Sequence, residues 1–167
     1  MYSLSVIQTI SIWALPIILS VTLHEAAHAW VAYRLGDSTA KFLGRLSLNP
    51  INHISLFGTI IFPILLGALT NFQFLFGWAK PVPINWNNLR RPRRDTALVA
   101  AAGPGINLIM ALLWAVGLKI ATVLHPQTNM LALFLLLTSQ AGILINLLLA
   151  YLNLIPVKLG ILWYQKG

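Results

Sequence analysis

The chain has 167 residues, of which 58% are hydrophobic and only 8% are charged. Soluble domains carry about a quarter charged residues, so this composition, with a mean hydropathy of +0.80, favours a membrane protein. Lys and Arg total 11 against three acids, a balance that would suggest nucleic acid in a soluble protein. Here the bases fall in short segments between apolar runs, as in membrane proteins, so nucleic-acid binding is the weaker interpretation. The absence of cysteine excludes a disulfide framework and a thiolate metal site.

The first apolar segment runs from Leu4 to Leu23 without a charged residue. About 20 helical residues cross the hydrocarbon core of a bilayer, so the segment predicts a membrane span. Pro16 lies inside it and predicts a local kink. The run has no basic n-region and no small-residue cleavage site, which argues against a signal peptide. We expect the helix to continue to about Leu35 and to end at Gly36.

Three further apolar segments follow in the chain. Residues 54–77 predict either one spanning helix or a re-entrant hairpin. Residues 96–123 predict a span that is interrupted at Gly103-Pro104-Gly105, and residues 130–155 predict another span. The predicted fold class is all-α, a polytopic membrane helical bundle with about four apolar segments.

Two basic segments separate the first three apolar runs, at residues 34–53 and 77–96. If residues 54–77 crossed the membrane, these segments would lie on opposite faces. We favour a re-entrant hairpin, because both basic segments would then lie on the cytoplasmic side. The second basic segment is rich in Pro and Asn, and it predicts an ordered loop at the membrane surface with Trp78 and Trp86 as interfacial anchors.

The motif His24-Glu25-x-x-His28 lies beyond the middle of the first predicted helix. In a helix its two imidazoles lie one turn apart on the same face, where they can bind zinc beside the carboxylate. A chance cluster is the alternative, but a carboxylate inside a membrane is costly and is usually functional. We therefore predict that His24 and His28 bind Zn²⁺. Glu25 is predicted to take a proton from the attacking water and deliver it to the leaving amine.

A catalytic zinc ion needs a third protein ligand and an open position. Arg34 stands where a soluble protein with the extended motif would supply a third histidine. Asp37 lies in the loop after the helix, and Asp95 is expected to pair with the neighbouring arginines. His53 is the better candidate for a ligand or a substrate contact, although a lone histidine is more often structural, and His125 is expected to be interfacial. The third ligand is thus left open among His53, Asp37, water and a partner.

Three asparagines lie within the later spans. Asn107 follows the Gly-Pro-Gly interruption, where its amide can hold a scissile carbonyl or an extended substrate. A hydrogen bond to another span is the alternative for Asn107, and the two interpretations have similar weight. Asn146 and Asn153 lie two turns apart on one helix face, so they predict interhelical hydrogen bonds.

Several segments in order resemble the site-2 protease family of intramembrane zinc metalloproteases, and especially its compact prokaryotic members. The resemblance extends over roughly residues 6–157, so several motifs in order support it and not the zinc motif alone. The similar segments are LHEAAHAWVAYRLGD, LGRLSLNPINHI, FGTIIFP, FGWAKPVPINWNNLRRPRRDTALVAAAGPGINL and INLLLAYLNLIPV.

This resemblance implies membrane helices around a buried Zn²⁺ cofactor and cleavage of peptide bonds in or near transmembrane segments of protein substrates. It implies zinc ligation by His24 and His28, acid and base catalysis by Glu25, and a substrate-binding role for Asn107. It also implies an integral multi-pass protein of a prokaryotic cell membrane.

The sequence departs from the family pattern in two places. The family continues beyond Asn-x-x-Pro into a Pro-Leu-Asp-Gly motif, whose Asp is the third zinc ligand, whereas Lys158-Leu159-Gly160 follow here. We therefore divide the chain into a metalloprotease core, residues 1–157, and a divergent tail of truncated or frameshifted character, residues 158–167. The second departure is Ser55-Leu56, where close relatives tend to carry Asp-Pro.

Three functions follow from these residues. The first is a zinc-dependent intramembrane endopeptidase. The second is a non-catalytic pseudoprotease on the same fold that binds transmembrane helices, an alternative motivated by the missing Asp. The third, a small transporter or channel, depends only on polar groups within the spans.

Overall fold

The computed structural model describes residues 6–69 and 78–164, and this part of the chain is helical without a β-strand. A short 3-10 turn at Pro50–His53 and a π-helical turn at Leu56–Ile61 precede α3, and a second 3-10 turn, Trp86–Asn88, precedes α4. The α-helices are α1 Val6–Leu35, α2 Thr39–Phe42, α3 Phe62–Leu69, α4 Pro92–Val123 and α5 Met130–Tyr164.

Three helices are long and apolar enough to cross a membrane, over Ile7–Leu35, Pro92–Val123 and Met130–Leu154. Their outer faces keep large apolar side chains exposed, including Ile18, Leu112 and Leu148. Such a surface suits contact with lipid, and the helices satisfy their backbone hydrogen bonds internally. The predicted all-α membrane bundle is confirmed, with three long spans and the shorter apolar segment that contains α3.

The end of α1 is where the sequence predicted it. Leu35 is the last helical residue, and Gly36 has a φ of 119°, which residues with a Cβ rarely adopt. Pro16 lies buried inside the helix without ending it.

The predicted interruption of the third segment is wrong. α4 runs continuously through Pro104, which is buried inside the helix together with Gly103. A proline removes one intrahelical hydrogen bond. In a membrane, unwinding would free further backbone groups with no water to satisfy them, so a continuous helix costs less.

The three long helices pack in alternating directions around small residues. His28 contacts Val99 while His24, one turn earlier, lies against Gly103, so α1 and α4 are antiparallel. Alanines form much of the buried interior and allow close approach of the helices. They are Ala29, Ala32, Ala111, Ala121, Ala132, Ala141 and Ala150.

Asn146 links α5 to α1 as predicted. Its side-chain amide donates to the Ser20 hydroxyl at 2.7 Å and to the Gly142 carbonyl at 2.8 Å, and both Asn146 and Ser20 are fully buried. Asn153 differs, because its amide donates to Leu149 one turn earlier in the same helix. The predicted interhelical role is therefore confirmed for Asn146, whereas the hydrogen bond found for Asn153 lies within its own helix.

The apolar segment between the basic loops returns to its starting point. The Trp78 N–H donates to the Gly58 carbonyl at 3.0 Å, and the Thr59 hydroxyl donates to the Trp78 carbonyl at 2.8 Å. The Trp78 ring packs against Phe62, with centroids 5.1 Å apart. Residues 70–77 lie outside the described part, but Trp78, which follows them, lies beside Gly58, Thr59 and Phe62, as a re-entrant segment requires.

Both basic loops consequently lie on the same face of the bundle. The Arg90 N–H donates to the Leu35 carbonyl at 3.2 Å, which joins the start of α4 to the end of α1. Residues 34–94 hold eight of the 11 Lys and Arg residues, and they connect these two helix ends. The contacts of Trp78 with Gly58 and Thr59 support the re-entrant alternative for residues 54–77.

We expect Gly142→Ala to destabilise the bundle by about 1–3 kcal/mol, because overpacking forces neighbouring groups to move. A Cβ at position 142 would lie less than 3 Å from three atoms of the Trp114 ring. Gly105→Ala is the matched control, since no atom lies within 4 Å of that Cβ and Ala favours a helix by about 1 kcal/mol. Thermal unfolding in detergent measures the difference, and equal melting temperatures would contradict the packing of α4 on α5.

Candidate metal centre

His24 and His28 bring two imidazole nitrogens together on one face of α1. Their Nε2 atoms lie 3.0 Å apart, and the two rings meet edge to face. The Nδ1 atom of His28 lies 2.7 Å from the Val99 carbonyl oxygen, so this nitrogen carries the proton and donates it. His28 therefore presents the lone pair of Nε2 to His24.

This geometry fits a zinc ion. Two nitrogens bound to one tetrahedral zinc at 2.0–2.1 Å would lie roughly 3.3 Å apart, close to the separation found here. A backbone carbonyl that holds the far nitrogen of a ligand histidine is the usual support of such a site. Two lone pairs at this distance repel each other unless a proton or a cation lies between them.

Gly103 of α4 closes the other side of the site. A Cβ at this position would lie 2.6 Å from His24 Nε2 and nearer still to His28 Nε2. The glycine thus leaves open the space in front of both nitrogens. The sequence suggested a helix break at this residue, whereas the structure gives it a role in the site.

Asn107 lies one turn further along α4, beside the ring of His24. It is fully buried, and neither polar atom of its amide forms a hydrogen bond of good geometry within the described residues, although the amide interacts with the His24 ring of α1. The amide thus faces a side chain of another span, as the interhelical alternative expects, but without a well-formed hydrogen bond to it. A buried amide of this kind costs free energy unless a ligand or water satisfies it.

Glu25 faces a backbone amide and not a basic side chain. One carboxylate oxygen accepts a hydrogen bond from the Val82 N–H at 2.8 Å. Val82 belongs to residues 78–91, a segment that has no regular structure except the 3-10 turn Trp86–Asn88, and we name it the strap because it lies along α1. Sequence reasoning missed this contact, since 57 positions separate the two residues.

Asp37 fixes the strap from the loop after α1. It is fully buried and accepts four hydrogen bonds, which come from the N–H and hydroxyl of Thr39, the Asn85 N–H and the Asn88 amide. Burial acts to raise the pKa of the Asp37 carboxyl, but these hydrogen bonds outweigh it and hold the pKa below its usual value. With both oxygens engaged in this way, Asp37 acts as a structural anchor.

The other candidate ligands lie apart from the histidine pair. Within residues 6–69 and 78–164, no group of three His, Cys, Asp or Glu side chains is arranged to hold a metal. The buried His53 ring contacts the Ser47 carbonyl at 2.8 Å, and exposed His125 has a φ of 54° between α4 and α5. Asp95 accepts a hydrogen bond from the Arg91 N–H at 2.8 Å at the start of α4, so it caps this helix.

Comparison with known proteins identifies the family. Residues 12–133 match the sequence profile of Peptidase family M50, which covers most of the chain. The chain belongs to peptidase family M50. This family includes the site-2 proteases, so the resemblance seen in the sequence is confirmed.

The chain spans less than two thirds of the length of two M50 relatives that it matches. It is 43% identical to YwhC of Bacillus subtilis over 145 residues, which cover 84% of this chain and 61% of YwhC. It is 33% identical to Rip2 of Mycolicibacterium smegmatis over 96 residues, 58% of this chain and 35% of Rip2. Both relatives are named as predicted zinc metalloproteases. No solved structure matches the chain significantly.

Proposed function

We propose that this M50 chain forms the core of a zinc-dependent intramembrane endopeptidase that hydrolyses peptide bonds in or near transmembrane segments. The observation that carries the proposal is the convergence of His24 Nε2 and His28 Nε2 at 3.0 Å beside Gly103, inside a bundle of apolar helices. The zinc metalloprotease names of the two relatives support it.

His24 and His28 would hold the Zn²⁺ ion, which supplies Lewis acidity toward water and the peptide carbonyl when bound. The family pattern places the third ligand on an Asp beyond Pro156, and no acidic residue follows Asp95 in these 167 residues. Neither His53 nor Asp37 joins the pair, so water, a partner or a residue outside this sequence would complete the ligand set.

Glu25 is placed to handle the protons of hydrolysis. It is the neighbour of His24 in sequence, it is half-buried, and one oxygen is held by the Val82 N–H. The other oxygen can accept a proton from the attacking water and pass it to the leaving amine. Asn107 offers an unsatisfied amide beside His24, which suits the carbonyl of an unwound substrate segment.

The substrates in this proposal are membrane proteins, because the histidine pair lies within a span. A transmembrane helix protects its peptide bonds, so a substrate must unwind locally to reach Glu25. The basic residues of the loops would place the strap on the cytoplasmic side of a prokaryotic cell membrane. Lipid and the substrate span are thus the expected partners, and we do not expect nucleic acid to bind.

A pseudoprotease that binds transmembrane helices without cutting them is the second candidate. The observation that favours it is the lack of a third metal-ligating side chain beside the pair, among the described residues. Two histidines alone bind zinc weakly. This alternative predicts helix binding without turnover.

We expect detergent-purified protein to hold close to one zinc per chain and to cleave a membrane-span substrate in liposomes. The variant His24→Ala/His28→Ala is expected to lose the bound zinc and the cleavage activity, because it removes both ligand nitrogens. Metal analysis and peptide mapping of the products provide the measurement. Zinc no higher than in the variant, together with no cleavage, would favour the pseudoprotease.

A further inference from the structure

The strap is docked on α1 by apolar side chains that meet small residues of the helix. Val82 packs with Ala29 and Ala40, and Leu89 packs with Ala32 and Val99. Val82 and Leu89 are both buried. The strap therefore has a defined position along the face of α1 that carries Glu25.

Proline restricts which backbone groups the strap can offer at this position. Pro81 and Pro83 flank Val82 and have no N–H, so the Val82 N–H is the single donor of residues 81–83. Both prolines also favour an extended backbone and disfavour a helix, and residues 78–85 form no regular secondary structure. The Pro-Val-Pro sequence thus presents one amide, and that amide lies 2.8 Å from Glu25.

Polar contacts hold the strap on both sides of this amide. The Arg45 side chain donates to the Lys80 carbonyl at 2.9 Å, and the Lys80 N–H donates to the His53 carbonyl at 3.0 Å. On the other side, the Asn85 N–H donates to Asp37 at 2.8 Å and the Asn88 amide donates to Asp37 at 3.0 Å. Among the side chains that hold the strap in this way, Asp37 is the one that is both charged and buried.

Gly36 allows the strap to come this close. A Cβ at position 36 would lie 2.9 Å from the Asn88 carbonyl oxygen, in addition to its unfavourable φ. The same loop that ends α1 therefore receives the far end of the strap and supplies its anchor, Asp37.

We propose that Asp37 is a positioning residue, which sets the register of the strap so that the Val82 N–H holds one oxygen of the Glu25 carboxylate. The other oxygen of Glu25 is then directed to the histidine pair. The catalytic part of this proposal rests on the proposed function, whereas the register of the strap can be measured without activity.

Amide hydrogen exchange of the full chain in detergent tests the register. Within residues 80–84 only Lys80, Val82 and Ile84 have an exchangeable backbone N–H, so a peptide over this segment reports on few sites. We expect Asp37→Asn to speed strap exchange roughly tenfold, since it weakens the hydrogen bonds at the anchor. Peptides of α1, α4 and α5 are expected to exchange as in the parent, which shows that the bundle is folded.

In the same experiment, two Glu25 variants test the hydrogen bond between the Val82 N–H and the Glu25 carboxylate by itself. Glu25→Ala removes the acceptor and is expected to speed exchange at Val82, whereas Glu25→Gln keeps an acceptor oxygen and is expected to match the parent. Parent-like strap exchange in both Asp37→Asn and Glu25→Ala would overturn the proposal.

The pair Val82→Pro and Val82→Ile then tests the consequence for catalysis, even if Asp37→Asn fails to fold. Val82→Pro removes the N–H, and Val82→Ile keeps it. We expect Val82→Pro to lower kcat roughly tenfold with KM within about twofold and zinc per chain unchanged. Equal kcat in the two variants would overturn the positioning role. A parent that cleaves nothing would instead count against the proposed function, and the exchange results would still decide the register.

Discussion

Gly103→Ala is expected to weaken zinc binding at the histidine pair strongly. The added Cβ would lie 2.6 Å from His24 Nε2 and still nearer to His28 Nε2, in the space that both lone pairs face. The rings can relieve this contact only by turning away, and His28 would then lose the 2.7 Å contact of its Nδ1 with the Val99 carbonyl. We expect zinc affinity to fall by roughly 100-fold or more, because disturbed ligand support alone costs 10- to 100-fold.

Gly105→Ala provides the control, because it adds the same methyl group two residues away with no atom within 4 Å. Zinc titration with a competing chelator measures both variants against the parent, and circular dichroism checks that each is folded. Parent-like zinc affinity in Gly103→Ala would show that the metal, if bound, lies elsewhere.

Glu25→Gln is expected to lower the rate of cleavage by about 10²- to 10⁴-fold while zinc per chain stays at the parent value. Gln has the shape of Glu and keeps an oxygen for the Val82 N–H, so the strap is expected to stay in place. What it loses is the ability to accept a proton from water. Loss of activity with intact zinc and intact strap would therefore identify proton transfer as the role of Glu25.

Asp95→Asn is a suitable comparison, since it makes the same change of acid to amide at the helix cap of α4, away from the pair. It is expected to cleave at the parent rate. Cleavage by Glu25→Gln as fast as by the parent would rule out Glu25 as the base and leave the proposed mechanism without a proton acceptor.

The local features of this chain could be predicted from its sequence. The spacing of His24 and His28 determines that they share a helix face, and Gly36 after a long apolar run marks the end of α1. The re-entrant alternative also followed from sequence, because charge bias favours basic loops on one side.

The contacts between distant parts of the chain could not be predicted. Nothing in the motif shows that Val82 meets Glu25 or that Val99 holds His28, because both contacts use backbone atoms, which every residue type provides. The break predicted at Gly103-Pro104-Gly105 was wrong because a span can also tolerate these residues within a continuous helix, which keeps its remaining hydrogen bonds. Asn153 had the right spacing for an interhelical contact but bonded its own helix.

The return of the chain from Trp78 to Gly58 also determines whether the number of membrane crossings is odd or even. With residues 54–77 beginning and ending on one side, α1, α4 and α5 make three crossings, and three is an odd number. We therefore predict that residues 6 and 164 face different compartments. A reporter protein fused before α1 and another fused after α5 would lie on opposite sides of the membrane. One of the two reporters would lie on the same side as the strap.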